Sequence, residues 1–259
     1  GLRKYWDEYS YPYHKNGEGN NSFKSAATNK IQKKVDARAY NHNQDSFTIE
    51  NIIRWFDYWR ERPGTGDRVS SGGVKIIFSD TNTHFRGVEN YRRSGVTDAM
   101  RIPKDPFFAH QVMWDGWVDI ENPRIHIIGH WNYKEGTVKP VYVVSSAEKV
   151  ELFLNGTSLG YGNRDHHFLY TFENVAFAAG KLEAVGYDEN GTECCRTHLQ
   201  TAGEPEQIKL SLIQSPNGWK ADGADMVLLQ VEVMDKDGRR CPLANELIHF
   251  DVEGPAEWR

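Results

Sequence analysis

Between residues 47 and 61 the apolar positions Phe47, Ile49, Ile52, Ile53, Phe56 and Trp59 fall at helical spacing, while Glu50, Asn51, Arg54 and Asp57 lie elsewhere. This predicts a helix with Asp45 or Ser46 as its N-cap and Pro63-Gly64 as its stop. The run Val74-Lys75-Ile76-Ile77-Phe78 reads as a short buried strand, and it ends in the polar stretch Ser79-Asp80-Thr81-Asn82-Thr83-His84. A second helix is predicted from Pro106 to Trp114, because proline is tolerated in a first turn. Helix, strand, polar strand end and helix is the grammar of an α/β protein with a parallel sheet. Residues 1–46 show no period. Their aromatic run Tyr5-Trp6-Asp7-Glu8-Tyr9 and the Asn/Gly cluster Asn16-Gly17-Glu18-Gly19-Asn20-Asn21 predict a long irregular segment.

From Ile125 onward the period becomes two. Strands are predicted at Ile125–Trp131, Val138–Val144, Val150–Leu154, Phe168–Phe172, Lys181–Tyr187 and Glu193–Leu199. Turns separate them at Asn155-Gly156, Gly162-Asn163, Ala179-Gly180 and Asn190-Gly191, the spacing of a β-sandwich. This sandwich is assigned to residues 120–202, and residues 120–200 are expected to fold autonomously. Gly203-Glu204-Pro205 reads as a linker, and residues 203–259 add strands at Ile208–Leu212, Met226–Met234 and Leu247–Val252. Three strands fall short of the ~7 of a complete sandwich. The N-terminus likewise opens without a strand, so an internal fragment of a larger protein is expected. The fold class is therefore α/β followed by all-β.

Charge sharpens the division near residue 119: residues 1–119 carry a net +3 and residues 120–259 a net −8. Neither half has a basic stripe interleaved with exposed aromatics, so nucleic acid is not expected as a partner. No apolar run reaches the ~18–20 residues of a membrane span, and no basic-then-apolar leader is visible. Three cysteines without CxxC spacing exclude a disulfide framework or a cysteine-based zinc module. His14, His42, His166 and His167 lack ligand spacing, and no phosphate loop exists, so no metal and no cofactor is expected. Cys194 and Cys195, neighbours on a strand, should point to opposite faces. Trp55, Trp59, Trp114 and Trp131 read as core, whereas Trp6 and Trp117 are candidate sugar platforms.

Three motifs in order, Gly95-Val96-Thr97-Asp98, Arg101-Ile102-Pro103-Lys104 and Phe107-Phe108, resemble the close of the catalytic barrel in glycoside hydrolase family two, the β-galactosidase-like enzymes. The marks His130-Trp131-Asn132, Lys139-Pro140-Val141 and the Val150–Gly156 hairpin resemble the immunoglobulin-like domain that follows the barrel in bacterial members. The stretch GADMVLLQVEVMDKDGRR resembles a later C-terminal domain of the same family. The resemblance implies that residues 1–119 are the end of a (β/α)8 barrel, 120–202 an immunoglobulin-like sandwich, and 203–259 the start of a second sandwich. It implies a retaining hydrolase of β-glycosidic, in particular β-galactosidic, bonds, with a carbohydrate as partner and a periplasmic or secreted location. A homo-oligomer is compatible with it. The alternative is a non-catalytic immunoglobulin-like module that binds polysaccharide or acts as a spacer.

Barrel sites lie at the carboxyl ends of the strands, and alternate residues of an extended segment face one way. Asp80, Asn82 and His84 are therefore expected to line a substrate site, with Arg86 added if the sugar is acidic. Such polar loop residues are expected to add little to stability. A retaining enzyme also needs two carboxyls ~5–5.5 Å apart. The resemblance places both upstream of residue 1, so the chain alone is expected to be inactive; Glu8, and behind it Glu18, are the fallback nucleophiles.

Overall fold

The computed structural model describes Asp45, Thr48, Ile49, Ile52, residues 78–81, 95–254 and 256–257. The described part is mostly β-sheet with one 14-residue helix, and it divides into two compact units between Leu199 and Gln200.

In the first unit, helix α1 (Asp105–Val118) begins where the sequence places a proline in its opening turn, and it runs one turn beyond the predicted Trp114. Pro106, Ala109, Val112 and Met113 form its buried face. Eight strands follow: β1 (Ile125–Ile127), β2 (Val138–Ser145), β3 (Lys149–Leu154), β4 (Thr157–Tyr161), β5 (Asn163–Asp165), β6 (Leu169–Ala176), β7 (Lys181–Tyr187) and β8 (Glu193–Gln200). They form two four-stranded sheets, ordered β1-β2-β6-β5 and β4-β3-β7-β8. Short strands β4 and β5 fall where only turns were predicted. Both are exposed, so neither carries the apolar alternation that a sequence reading needs. The Asn155-Gly156 turn joins β3 to β4 with both residues in the left-handed region, at φ 51° and 83°, as a two-residue hairpin requires.

Strand β2 departs from the period-two pattern. Val141, Tyr142, Val143 and Val144 are consecutive and all buried, because both faces of their sheet are covered. Val141 and Val143 join Leu152, Leu182 and Ala184 of the opposite sheet in one core, with Trp131, Tyr170 and Phe172. Tyr142 and Val144 turn the other way, into a second core with Ile49, Ile52, Ala109, Val112 and Met113. The architecture is thus a helical layer, a shared sheet and a second sheet. The second core crosses residue 119, and a sandwich cut at residue 120 would uncover Ile128, Tyr142, Val144, Phe168 and Leu169.

Asp45, Thr48, Ile49 and Ile52 are helical and buried, in agreement with the predicted face; the rest of that helix lies outside the described residues. Asp45 sits inside the helix and does not cap it. Its carboxylate is turned instead to the Lys139 ammonium, 2.5 Å away, which also donates to the Tyr133 hydroxyl at 2.9 Å. Of the four tryptophans read as core, Trp131 is buried and donates to the Ala178 carbonyl, but Trp114 is 48% exposed. Trp114 lies on the side of α1 away from Ala109 and Met113, stacked edge-on against Trp117. Trp55 and Trp59 lie outside the described residues. Phe78, read as the end of a buried strand, is exposed.

In the second unit, β9 (Gln207–Ile213) and β10 (Leu228–Met234) pair antiparallel over their full length. Residues 247–252, predicted as a strand, are irregular and mostly exposed. Their apolar alternation is present, but a strand forms only against a hydrogen-bonding neighbour; among the described residues β9 pairs with β10, β10 is further bridged only from Arg240 to Met234, and no strand pairs with residues 247–252. Asp235, just past β10, is buried and accepts the backbone N–H groups of Gly203, Asp237 and Arg239. These bonds, with that from Gly203 the largest cause, hold its carboxyl below the usual carboxylate range.

Candidate functional site

Of the five residues proposed for binding or catalysis, Asp80 is described; Glu8, Asn82, His84 and Arg86 lie outside the described residues, as does Glu18. Asp80 brings together the motifs that gave the chain its resemblance. Lys104 Nζ donates to both of its carboxylate oxygens, at 3.0 and 3.1 Å, and the Gly95 N–H donates to Oδ1 at 2.8 Å. The backbone follows suit. Phe78 O accepts from Val96 and Thr97, the Asp80 N–H donates to Thr97 O, and the Lys104 N–H donates to Val96 O. Ser79 bridges Thr97 in parallel sense, and Thr97 bridges Pro103 in antiparallel sense. Three short segments are therefore buckled together directly in front of α1.

Each motif residue has a physical task in this buckle. Gly95 leaves room: a Cβ there would stand 2.4 Å from Asp80 N and from Ser79 C, and 2.6 Å from Thr97 O. All three are backbone atoms that cannot swing away. Asp98 Oδ1 accepts the N–H groups of Met100 and Ile102 and so closes the turn that leads to the next segment. Arg101 sits at the apex of that turn in the left-handed region, φ 67°. Lys104 supplies the charge that holds Asp80. The neighbouring Asp105 opens α1 and ties it to the sandwich, receiving the Gly129 N–H at 2.9 Å and lying 2.8 Å from His126 Nε2.

The Asp80 carboxylate is thus already engaged by two donors and largely covered, with 17% of its side chain exposed. The expectation that such a residue adds little to stability does not survive this geometry, since its removal strands a backbone N–H and an ammonium. Its partners lie 15 and 24 residues away, beyond the reach of any local pattern in the sequence. Beside it, the Thr81 hydroxyl is enclosed with no hydrogen-bond partner. Enclosed hydroxyls of this kind are rare and mark places where an outside oxygen fits.

Two other groups were passed over. Lys139, part of the Lys-Pro-Val mark, is a buried cation, the one lysine or arginine buried among the described residues. A lysine preceding an apolar run of a strand buried on both faces was the available signal. Cys194 and Cys195, expected on opposite faces, bring their sulfurs within 4.0 Å. Burial pushes the Cys195 thiol up to about 12 and also raises Cys194, so neither is an activated nucleophile. Among the described residues no group of three or more His, Cys, Asp or Glu could hold a metal ion, and no helix is long and apolar enough to cross a membrane.

Comparison with known proteins gives the chain its relatives. Residues 210–259 match the profile described as glycoside hydrolase family 2 C-terminal domain 5, and residues 136–195 match a domain of unknown function, DUF4982. A beta-glucuronidase of Formosa agariphila is 39% identical across 86% of this chain and 23% of its own length. A beta-galactosidase of Bacteroides ovatus is 32% identical across 62% of this chain and 18% of its own. Among solved structures, a beta-glucuronidase from glycoside hydrolase family 2 superposes with a TM-score of 0.63 at 38% identity, over 76% of this chain and 20% of that one. Residues 210–259 thus carry a glycoside hydrolase family 2 C-terminal domain, and most of the chain is similar to beta-glucuronidases and beta-galactosidases of that family. The chain spans about a fifth of the length of the curated relatives it matches.

Proposed function

We propose that this sequence serves as the C-terminal region of a retaining β-glycosidase, with a β-glucuronide as substrate. The observation that carries the reading is the 39% identity to the Formosa agariphila beta-glucuronidase across 86% of the chain. In this reading residues up to 119 close the catalytic barrel, and the buckle fixes where the polar segment after Asp80 leaves its strand. Asn82, His84 and Arg86 then reach the substrate, with Arg86 gripping the uronate in two places. Asp80 acts as a positioning residue for that segment. The catalytic carboxylates belong to strands preceding this sequence. A β-galactoside substrate is the second reading, favoured by the 32% identity to the Bacteroides ovatus beta-galactosidase.

The test is an assay of the longer protein containing this sequence on nitrophenyl β-glucuronide and β-galactoside, with the anomer of the first-formed product read by proton NMR. Hydrolysis of the glucuronide with retention, and its selective loss in Arg86→Ala, is the expected result. Turnover of the galactoside alone supports the second reading. Hydrolysis with inversion at the anomeric carbon overturns the retaining mechanism, and no turnover of either glycoside overturns the enzyme reading and leaves the carbohydrate-binding or spacer module.

A further inference from the structure

We propose a non-catalytic site for a single neutral pyranose ring in the cavity between the C-terminal half of α1 and the β5–β6 hairpin. The cavity holds about 280 Å³. That is just below the ~300 Å³ at which small-molecule clefts begin, a size for one ring and not for a chain. Its walls have two characters. Trp117, Met113 and Phe168 present apolar surface, whereas Arg164, His167 and Ser146 present polar groups. A sugar ring has the same division, an apolar C–H face and a rim of hydroxyls.

Three observations favour an occupant over a packing defect. First, Trp117 is 37% exposed although Met113, one turn before it on the same face of α1, is buried. An indole in that position is a half-covered platform. Second, the hairpin that frames the cavity is held in a costly backbone. His166 and His167 are adjacent and both left-handed, at φ 50° and 62°, where glycine would sit without steric cost. The tight hairpin turn calls for left-handed residues, and histidine in place of glycine keeps two side chains there at a backbone cost. Third, the guanidinium is fixed before any ligand arrives. Arg164 Nε donates to His167 O at 3.1 Å, and Nη1 donates to the Glu148 carboxylate at 2.6 Å. These bonds use one edge of the fork, and Nη2 takes part in neither of them.

The same ion pair decides the ligand class. Glu148 offsets the charge of Arg164, so the cavity offers hydrogen-bond donors without net attraction for a carboxylate. A neutral ring with adjacent equatorial hydroxyls fits this lining, and a uronate gains nothing from it. The site is distinct from the buckle at Asp80, and it does not depend on the enzyme reading.

Saturation-transfer NMR on the 259-residue chain with methyl β-glucoside, methyl β-galactoside and methyl β-glucuronide tests the proposal. For one small ring a Kd on the order of 1 mM is expected. The neutral glycosides should show transfer to their ring protons, and the glucuronide should bind no better than they do. Trp117→Ala and Arg164→Ala should each abolish the transfer, while Asp80→Ala should leave it unchanged. Should Trp117→Ala fail to fold, His167→Gly separates the cases: it relaxes the hairpin, so it should raise the melting temperature and still weaken binding at least threefold. No transfer from any glycoside, equal transfer in a folded Trp117→Ala chain, or binding of the glucuronide alone would overturn the proposal.

Discussion

The Asp45–Lys139 pair is the most demanding test of how this structure is held. Its two side chains are 8% and 4% exposed, the charges lie 2.5 Å apart, and 94 residues separate them in sequence. A buried charge whose counter-charge is removed costs ~3–5 kcal/mol, because the desolvation of the survivor is no longer offset. Lys139→Met replaces the ammonium by a chain of similar reach and leaves the Asp45 carboxylate in the helix–sheet core. For a unit of this size each kcal/mol moves Tm by ~2–4 °C, so a fall of roughly 6–20 °C is expected in a far-ultraviolet circular dichroism melt at neutral pH. Asp45→Leu alone should fall by a similar amount. The double variant should recover most of the loss or exceed the parent, since apolar replacements of a buried pair are commonly neutral or stabilising. A Lys139→Met chain that melts within ~2 °C of the parent, or single losses that simply add in the double variant, would refute the claim that these charges depend on each other.

Three further outcomes are expected. Gly95→Ala should cost ~1–3 kcal/mol by overpacking against fixed backbone, and Asp80→Ala a similar ~1–3 kcal/mol by stranding the Gly95 N–H, both read from urea melts; wild-type midpoints in both would dissolve the buckle as a structural unit. Cys195, pushed up to about 12 by burial, should react with iodoacetamide at pH 8 roughly a thousandfold more slowly in the folded chain than in urea; peptide mapping that finds equal rates would contradict its burial. Asp235, held below the ordinary carboxylate range, stabilises the second unit fully above the unfolded value of ~3.9, and that stabilisation is lost as pH falls through the lower folded value. Hydrogen exchange at the Gly203, Asp237 and Arg239 amides should therefore accelerate in that acid window in the parent, and should already be fast at neutral pH in Asp235→Ala.

What was legible in the sequence was whatever is local. Apolar patterning located α1 and six of the eight strands of the first unit within a few residues, because most of those segments turn apolar side chains into a core. The Asn155-Gly156 turn was readable because its chemistry is carried by two adjacent residues. Illegible were the features made by distant partners. Asp80 reads as one polar residue among six, and only the fold shows that Lys104 and Gly95 close on it. Trp114 reads as core because it is large and apolar, and only the direction of α1 puts it outside. The strand predicted at 247–252 has the right alternation and lacks a neighbour, which a single segment cannot reveal.

The two-faced sheet also bears on how such proteins can be rearranged in evolution. A sandwich with one wet face can be lost, duplicated or moved between genes at a linker without harm to what precedes it. Here β2 and β6 send alternate side chains into two cores, one of which is completed by Ile49, Ile52 and α1. A recombination joint placed between α1 and β1 would leave each parent with half of a core and an apolar surface of aromatic and branched residues. The helical layer and the sandwich should therefore be inherited together, and exchange of accessory domains should fall near the Leu199–Gln200 division between the two compact units.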